Sequence, residues 1–389
     1  MREDNIMALR FDTESEIVTK IKVIGVGGGG NNTVDRMIDA NLQGAEFIAV
    51  NTDRQQLNRS KASWRVQIGE RSSAGHGCGA KPALGRKCAE EDREALTEIL
   101  RDTDMVFITA GMGGGTGTGA APVIAELAQE MGILTVGVVT KPFKFEGGRR
   151  AAQAEEGIQE LYSHVDSLVI IPNERLKYVT DQKITFMNAF AYADETLKQA
   201  ISSIYELIIS EGIINLDFAD VYSIMKDSGY AHMGVGRAAG RDKASVAATM
   251  AIQSPLLETS IRGAKGVLIN IVGSPEIELS EIETAADYVR QNADPEAQII
   301  FGAAIDPSLN DEMRVTIIAT GFDDNSPNPL NGPAKAKPEE EKPAAAPEAS
   351  DPAADEELPF ADPADRGVSA ASSVNEDYEK LLKMLTETK

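Results

Sequence analysis

Ala110-Gly111-Met112-Gly113-Gly114-Gly115-Thr116-Gly117-Thr118-Gly119 is the stretch around which the rest of the chain is arranged. An apolar run over 105–110 leads into it and reads as a buried strand; 120–128 leads out and reads as a helix. Five glycines in the positions 113–119 would weaken either element from within. At the junction between them, the missing Cβ atoms let several backbone N–H groups turn toward one anion. The helix N-terminus adds its positive dipole end, and Thr116 and Thr118 add hydroxyls. The pattern predicts a phosphate cradle. The alternative is a glycine-rich turn that binds nothing.

Working outward, 21–26 is a second buried-strand candidate, followed by glycines 27–30, Asn31 and Asn32, with a helix expected from Thr33. Another strand over 46–50 ends in Asn51-Thr52-Asp53. Helical spacing over 81–101 places Leu84, Cys88, Leu96 and Leu100 on one side. Apolar strands over 133–139 and 167–171 flank a helix at 148–164. Strands alternating with helices, several apolar throughout, predict an α/β fold with a parallel, Rossmann-like sheet covered on both faces. The longest helical pattern, 185–211 with Gly212 as its stop, would span ~40 Å and join this half to a second. Strand patterns at 266–272, 298–304 and 314–320 around a helix at 280–292 predict a smaller α+β domain.

The expected division is therefore a flexible N-terminus at 1–16, a nucleotide-binding domain at 17–184, a central helix at 185–212 and an α+β domain at 213–322. Nine of the 17 prolines fall between Pro327 and Pro363, so 323–374 reads as a disordered acidic linker. Residues 375–389 regain a short amphipathic pattern, suited to a peptide that folds on a partner or to a frayed end.

A formal charge of −23 over 389 residues excludes nonspecific nucleic-acid binding and gives no basic surface for anionic lipid. It leaves room for a phosphate ligand neutralised by backbone amides and a divalent cation. The two cysteines, Cys78 and Cys88, lack zinc-site spacing and suit a reducing compartment. With no signal-peptide core and no apolar run near ~18 residues, a cytoplasmic protein without membrane insertion is expected.

Gly25 to Gly30 has the G-x-G-x-x-G spacing of a dinucleotide fold, with Asp53 at about the distance of a ribose-binding carboxylate. Alone, this favours an NAD-dependent oxidoreductase. The second glycine run fits a nucleoside triphosphate better, and neither run ends in the Gly-Lys-Ser/Thr of a P-loop. Phe190 lies on the apolar stripe of the long helix and reads first as core; Asp194, one position off the stripe, reads as a solvated face residue. Asp217 reads as a helix N-cap.

These segments, with Lys141 to Arg150, Ile171 to Asn173, Asn188 to Asp194, Asn215 to Asp220 and Met233 to Gly240, resemble the tubulin/FtsZ family of bacterial cell-division GTPases, in family order over about 17–322. The resemblance implies a filament-forming GTPase acting at midcell with GTP/GDP and Mg²⁺, the ion held mainly through phosphates. It implies that Gly27, Gly28, Gly29, Gly30 and Asn32 line the α- and β-phosphates, and that Gly113, Gly114, Gly115, Thr116, Gly117 and Thr118 wrap the β- and γ-phosphates. Asn31, Asn51, Asp53 and Gly111 fall in the same matched segments and are assigned to the nucleotide site. Glu146, Arg150 and Asn173 would hold the ribose side, Phe190 would stack on guanine, and Asp194 would read its N1 and exocyclic amine. Asn215, Asp217 and Asp220 would form a catalytic loop that serves the next subunit in a head-to-tail homopolymer.

The chain departs from the family at Asn31 and Thr33, and at His76, Cys78 and Lys81 in the turn that senses the γ-phosphate, which keeps a divergent filament-forming paralogue with weak or no hydrolysis as the alternative. It also lacks the usual C-terminal peptide for membrane-tethering partners; Asp377 to Leu382 stands near its place.

Overall fold

A computed structural model describes residues 19–42, 44–178, 184–186, 188–209, 217–257, 261 and 263–322, all within the unit Met1–Ala334. The expected segments 1–16, 323–374 and 375–389 lie outside the described residues, as does Asn215.

The first half opens with β1 (Ile21–Val26), α1 (Gly27–Asp39), β2 (Ala45–Asn51), α2 (Arg54–Arg59) and β3 (Trp64–Gln67). Three helices follow: α3 (Glu70–Ser73), α4 (Pro82–Glu91) and α5 (Arg93–Leu100). Then come β4 (Met105–Gly111), α6 (Thr116–Glu130), β5 (Leu134–Lys141), α7 (Gly148–Tyr162) and β6 (Ser167–Pro172). All six strands pair in parallel, in the order β3-β2-β1-β4-β5-β6. β1 is buried at every position and β4 at all but its last, because helices cover both faces. Val34 and Met37 of α1 pack on one side; α4, α5, α6 and α7 form the other.

α8 (Ala189–Ile209) spans ~30 Å at 1.5 Å per residue. Its Leu197, Ile201 and Ile204 belong to the same core as Val23 and Phe107 of the parallel sheet and Leu268 and Ile318 of the second half. That half consists of α9 (Phe218–Met225), β7 (Gly229–Ala239), α10 (Lys243–Ile252), β8 (Gly266–Gly273), α11 (Leu279–Asn292), β9 (Gln298–Ile305) and β10 (Glu312–Thr320). β7 is shared: Gly229–Ala231 pair in parallel with β6, and His232–Ala239 pair antiparallel with β10. The order then runs β7-β10-β8-β9, with α11 as the crossover between the parallel β8 and β9. α10 and α11 bury a separate aliphatic core against this sheet.

Several elements differ from expectation, and α2, β3, α3, β7 and α10 lie where none is expected. α1 begins at Gly27, not Thr33, so the glycine run is the helix's first turn; a Cβ on Gly30 would stand 2.2 Å from Thr109 O. The helical stretch 81–101 breaks at Asp92, whose Oδ2 accepts the Gly69 N–H at 2.6 Å. α8 starts at Ala189 rather than 185. β7 carries no long apolar run because α10 lies directly on its backbone. A Cβ on Gly234 or Gly236 would stand 2.1 or 2.0 Å from the carbonyl oxygens of Ala251 and Ala247.

Candidate functional site

In a parallel sheet, ligands bind beyond the carboxyl ends of the strands where the chain order reverses, since the loops there diverge to opposite faces. Here the order reverses between β1 and β4, and the register pairs Val26 with Ala110. Both glycine runs therefore leave adjacent strand ends side by side. They touch through backbone: a Cβ on Gly27 would stand 2.9 Å from Gly117 N, and one on Gly29 3.3 Å from Gly111 N. Gly27 (φ +71°) and Gly113 (φ +91°) also hold conformations that favour glycine. α1 and α6 start from these runs, and neither has an acidic residue in its first turn to offset the positive end of its dipole.

Side chains brace this cradle from behind. The Gly113 N–H donates to Thr118 Oγ1 at 2.8 Å, and Thr116 Oγ1 shares a hydrogen with Thr52 Oγ1 at 2.6 Å. Thr33 Oγ1 donates to Gly29 O at 3.1 Å. Asn31 is buried, and with its amide nitrogen turned inward it faces three carbonyls as donor, Gly27 O and, at 3.2 Å, Val50 O and Gly25 O. Asn51 accepts the Asp53 N–H at 3.1 Å and donates to Gln56 Oε1 at 3.2 Å. Asn31, Asn51 and Thr118 thus shape the loops from within. Asp53 caps α2, its Oδ1 accepting from Gln55 N at 2.8 Å and Gln56 N at 3.2 Å. The oxidoreductase reading asked that carboxylate to take ribose hydroxyls, and the cap spends one of its oxygens elsewhere.

The neighbouring strand ends carry the remaining predicted residues. Glu146 Oε1 accepts the Phe143 N–H at 2.8 Å and its Oε2 lies 3.1 Å from Arg150 Nε. Arg150 borders the second glycine run, its carbonyl 2.6 Å from where a Gly113 Cβ would be. Asn173 follows β6 and is buried, its Oδ1 without a hydrogen-bond partner among the described residues. A buried acceptor left unpaired costs about 1–3 kcal/mol unless a ligand satisfies it. Phe190 is 42% exposed, edge-on to Phe143 and Phe145 with ring centroids 5.6 and 6.2 Å away.

Asp194 is buried and faces α1, with Arg36 Nε at 3.7 Å from Oδ2 and Asn32 as a hydrogen-bond partner. Burial pushes its carboxyl up to about 6, while Arg36 and Asn32 pull it down. It is not the solvated face residue that spacing alone suggests. Arg36 and Thr52 escaped the sequence reading, because only the packing of α8 on α1 and of β2's end on α6 gives them partners.

Asp217 and Asp220 stand elsewhere. α8 begins beside Asn32 and Arg36 and ends with Tyr205 and Ile209 against Gly44, which precedes β2. α9, which carries both aspartates at its start, ends on that same amino edge: Met225 O accepts from Ser167 Oγ at 2.7 Å, and Lys226 Nζ lies 2.7 Å from Asp166. Asp217 holds the N-cap position but its side chain makes no cap hydrogen bond. Both aspartates are exposed, and among the described residues neither carboxylate has a hydrogen-bond or ion-pair partner. His76 bridges to Asp53 through backbone, Cys78 is buried and Lys81 is exposed just before α4.

Residues 20–181 match the Tubulin/FtsZ family, GTPase domain, and residues 229–323 match the FtsZ family, C-terminal domain. Among solved structures the chain is similar to an empty FtsZ dimer from M. jannaschii, at 44% identity over 78% of this chain and 88% of that one, with a TM-score of 0.76. It shares its fold with the GDP-bound CetZ1 monomer of Haloferax volcanii, at 22% identity over 79% and 95% of the two chains and a TM-score of 0.68. A GTPγS-bound CetZ2 protofilament from the same organism gives 18% identity, coverage of 79% and 94%, and a TM-score of 0.65. These neighbours are archaeal, so a bacterial setting gains no support from them. With two family domains in order and a relative 44% identical over most of its length, the chain belongs to the tubulin/FtsZ family of GTPases.

Proposed function

We propose that this chain binds GTP at the paired glycine runs, hydrolyses it only where two copies stack head to tail, and forms filaments that act in cell division. The observation that carries the reading is the separation of the two half-sites. A cradle of backbone amides lies at the carboxyl edge of the sheet, while two unengaged carboxylates sit on a helix anchored to the amino edge. Exposed carboxylates that have no hydrogen-bond or ion-pair partner among the described residues suit a role completed by another molecule. The states in which two relatives were solved, a dimer and a protofilament, are of the same kind.

In this reading Gly27 to Gly30 and Gly114 to Gly117 donate backbone N–H groups to phosphate oxygens, while Gly113, whose N–H is held by Thr118 Oγ1, shapes the loop. Asn173 Oδ1 accepts a ribose hydroxyl, Arg150 borders the sugar, Phe190 stacks on guanine, and Asp194 accepts its two N–H donors as a carboxylate. Asp217 and Asp220 from the stacked copy orient and polarise the attacking water. Among the described residues no three His, Cys, Asp or Glu side chains come together as a metal site, so Mg²⁺ would be held largely by phosphate oxygens. Bound there, it would offset charge developing on the leaving phosphates. The domain limits at 17–184, 185–212 and 213–322, and a tail that reaches division-site partners, belong to the same proposal. Among the described residues no helix is long and apolar enough to cross a membrane.

The test is phosphate release per molecule against protein concentration, with assembly followed by sedimentation. Turnover should rise from near zero above a threshold that coincides with pelleting. Equal turnover per molecule in demonstrably monomeric protein overturns the reading.

A further inference from the structure

Cys78 and Cys88 are the only cysteines in the sequence, and the fold buries both in one core layer behind the second glycine run. Cys88 is fully enclosed in α4, where a Cβ on Gly69 would stand 2.1 Å from its Sγ. Cys78 lies in the turn before α4, its Cβ 2.6 Å from where a Gly115 Cβ would be. The thiols meet side chain to side chain: Cys78 is the hydrogen-bond partner of Cys88. Cys78 Sγ also donates to Thr52 Oγ1 at 3.4 Å, and that hydroxyl is the one shared with Thr116. An unbroken chain of contacts thus runs from Cys88 through Cys78 and Thr52 to the cradle.

Buried thiols are ordinarily inert packing. This pair differs because its members face each other and one of them sits in the turn that borders the cradle. The turn carrying Cys78 holds Ala74, Gly75, Gly77, Gly79 and Ala80 at positive φ. α4, which carries Cys88, is packed directly on the second glycine run and α6: a Cβ on Gly85 would stand 2.2 Å from Gly115 O and one on Gly119 2.0 Å from Pro82 O.

We propose that Cys78 and Cys88 form a reversible disulfide that disengages the 75–81 turn from the phosphate cradle, so that oxidation lowers nucleotide affinity. The effect on nucleotide rests on the function proposed above. With a hydroperoxide as oxidant, the Cys78 sulfur attacks one peroxide oxygen and the O–O bond breaks, giving a sulfenic acid and water. The Cys88 sulfur then displaces the hydroxyl, which leaves with the Cys88 proton as a second water. Two thiols lose two electrons and two protons, and hydrogen peroxide is reduced to two waters; a dithiol reverses the exchange. Forming the bond draws the Cys78 sulfur off Thr52 and removes a donor from the Thr52–Thr116 pair. It also shifts the turn whose Lys81 N lies 3.0 Å, and Ala80 N 3.3 Å, from the Gly115 Cβ position.

The experiment uses the full chain, reduced and freed of reductant, then treated with hydrogen peroxide. Thiols are counted after denaturation, and GTP affinity is measured by equilibrium dialysis before oxidation, after it, and after adding dithiothreitol. Expected are the joint loss of both thiols in a monomer lighter by two hydrogens, and GTP affinity lowered about tenfold, the equivalent of one hydrogen bond of about 1.4 kcal/mol. Dithiothreitol should restore it. Cys88→Ala and Cys88→Ser should bind GTP like the reduced protein and keep that affinity in peroxide. Two thiols surviving the treatment, a disulfide with unchanged affinity, or Cys88 variants that stay peroxide-sensitive would each overturn the inference. Reduced protein that binds no GTP sinks the function proposed above and the inferred effect on affinity with it, while the thiol count still decides whether the bond forms.

Discussion

At the carboxyl edge of the parallel sheet the chain offers backbone, held at contacts that leave no space for a Cβ; on the helix anchored to the amino edge it offers two exposed carboxylates with no hydrogen-bond or ion-pair partner among the described residues. The first edge is dense because amides can converge on an anion only if glycine removes every obstacle, and the packing then leaves no slack: Gly27, Gly29, Gly30, Gly85, Gly117 and Gly119 all press on backbone. The second edge is sparse. Asp217 occupies a capping position without capping, and Asp220 adds a charge to the first turn of α9. Binding is thus built into the fold, whereas the proposed chemistry sits on side chains the fold does not need.

That contrast can be broken by substitution. Asp220→Ala should leave folding and GTP binding intact, since an exposed side chain without partners contributes within about 0.5 kcal/mol. Phosphate release should fall by roughly 10²–10⁴-fold, the range expected for losing a group that positions or activates the nucleophile. Mixed into unaltered protein, the variant should depress turnover beyond its share. Loss of GTP binding in step with turnover would place the residue in its own subunit's pocket. Gly30→Ala should do the reverse. Its Cβ would meet Thr109 O at 2.2 Å, so a stability loss of about 3 kcal/mol in chemical denaturation, with GTP binding gone, is expected.

Asp194 sharpens the comparison with pH. Its folded-state value of about 6 stands above the ordinary 3.8, so the native state holds a proton that the unfolded chain has released between those values. Stability contributed by this group is therefore present near pH 4 and lost as pH rises through about 6. GTP affinity should run the other way, falling below pH 6 by up to about tenfold per unit as the carboxylate is protonated. Asp194→Asn should flatten both profiles, and titrations of GTP binding and of urea midpoints at pH 4.5 to 7.5 read them out. The smallest effect is expected at Asn173. Its Oδ1 has no partner to lose, so Asn173→Ala should leave the urea midpoint unchanged and weaken GTP binding by about 1 kcal/mol. A stability loss larger than that would mean the side chain braces the fold and not the ligand.

Much of this was legible in the residues. Continuous apolar runs at β1, β4, β5 and β6 could only be strands buried on two faces, and the glycine run between β4 and α6 could only be a close backbone approach. Local pattern failed where a neighbour distant in sequence sets the residue type. β7 is glycine-rich because α10 lies on it, and the glycines of α1 are helical because Thr109 and Gly111 press against them.

Composition, periodicity and spacing determined the element types, the parallel sheet and the presence of an anion cradle, because each follows from the geometry of a few consecutive residues. The tertiary structure alone decided which polar groups are spent and which are free. Asp53 is taken by a cap and Asn31 by three carbonyls, Asp194 is buried between α8 and α1 beside Arg36, and Asp217 and Asp220 have no partner among the described residues on a helix anchored to the opposite edge. A side chain's partners come from segments tens of residues away, and only their packing fixes whether a carboxylate is a brace, a reader of a base or an open half of a site.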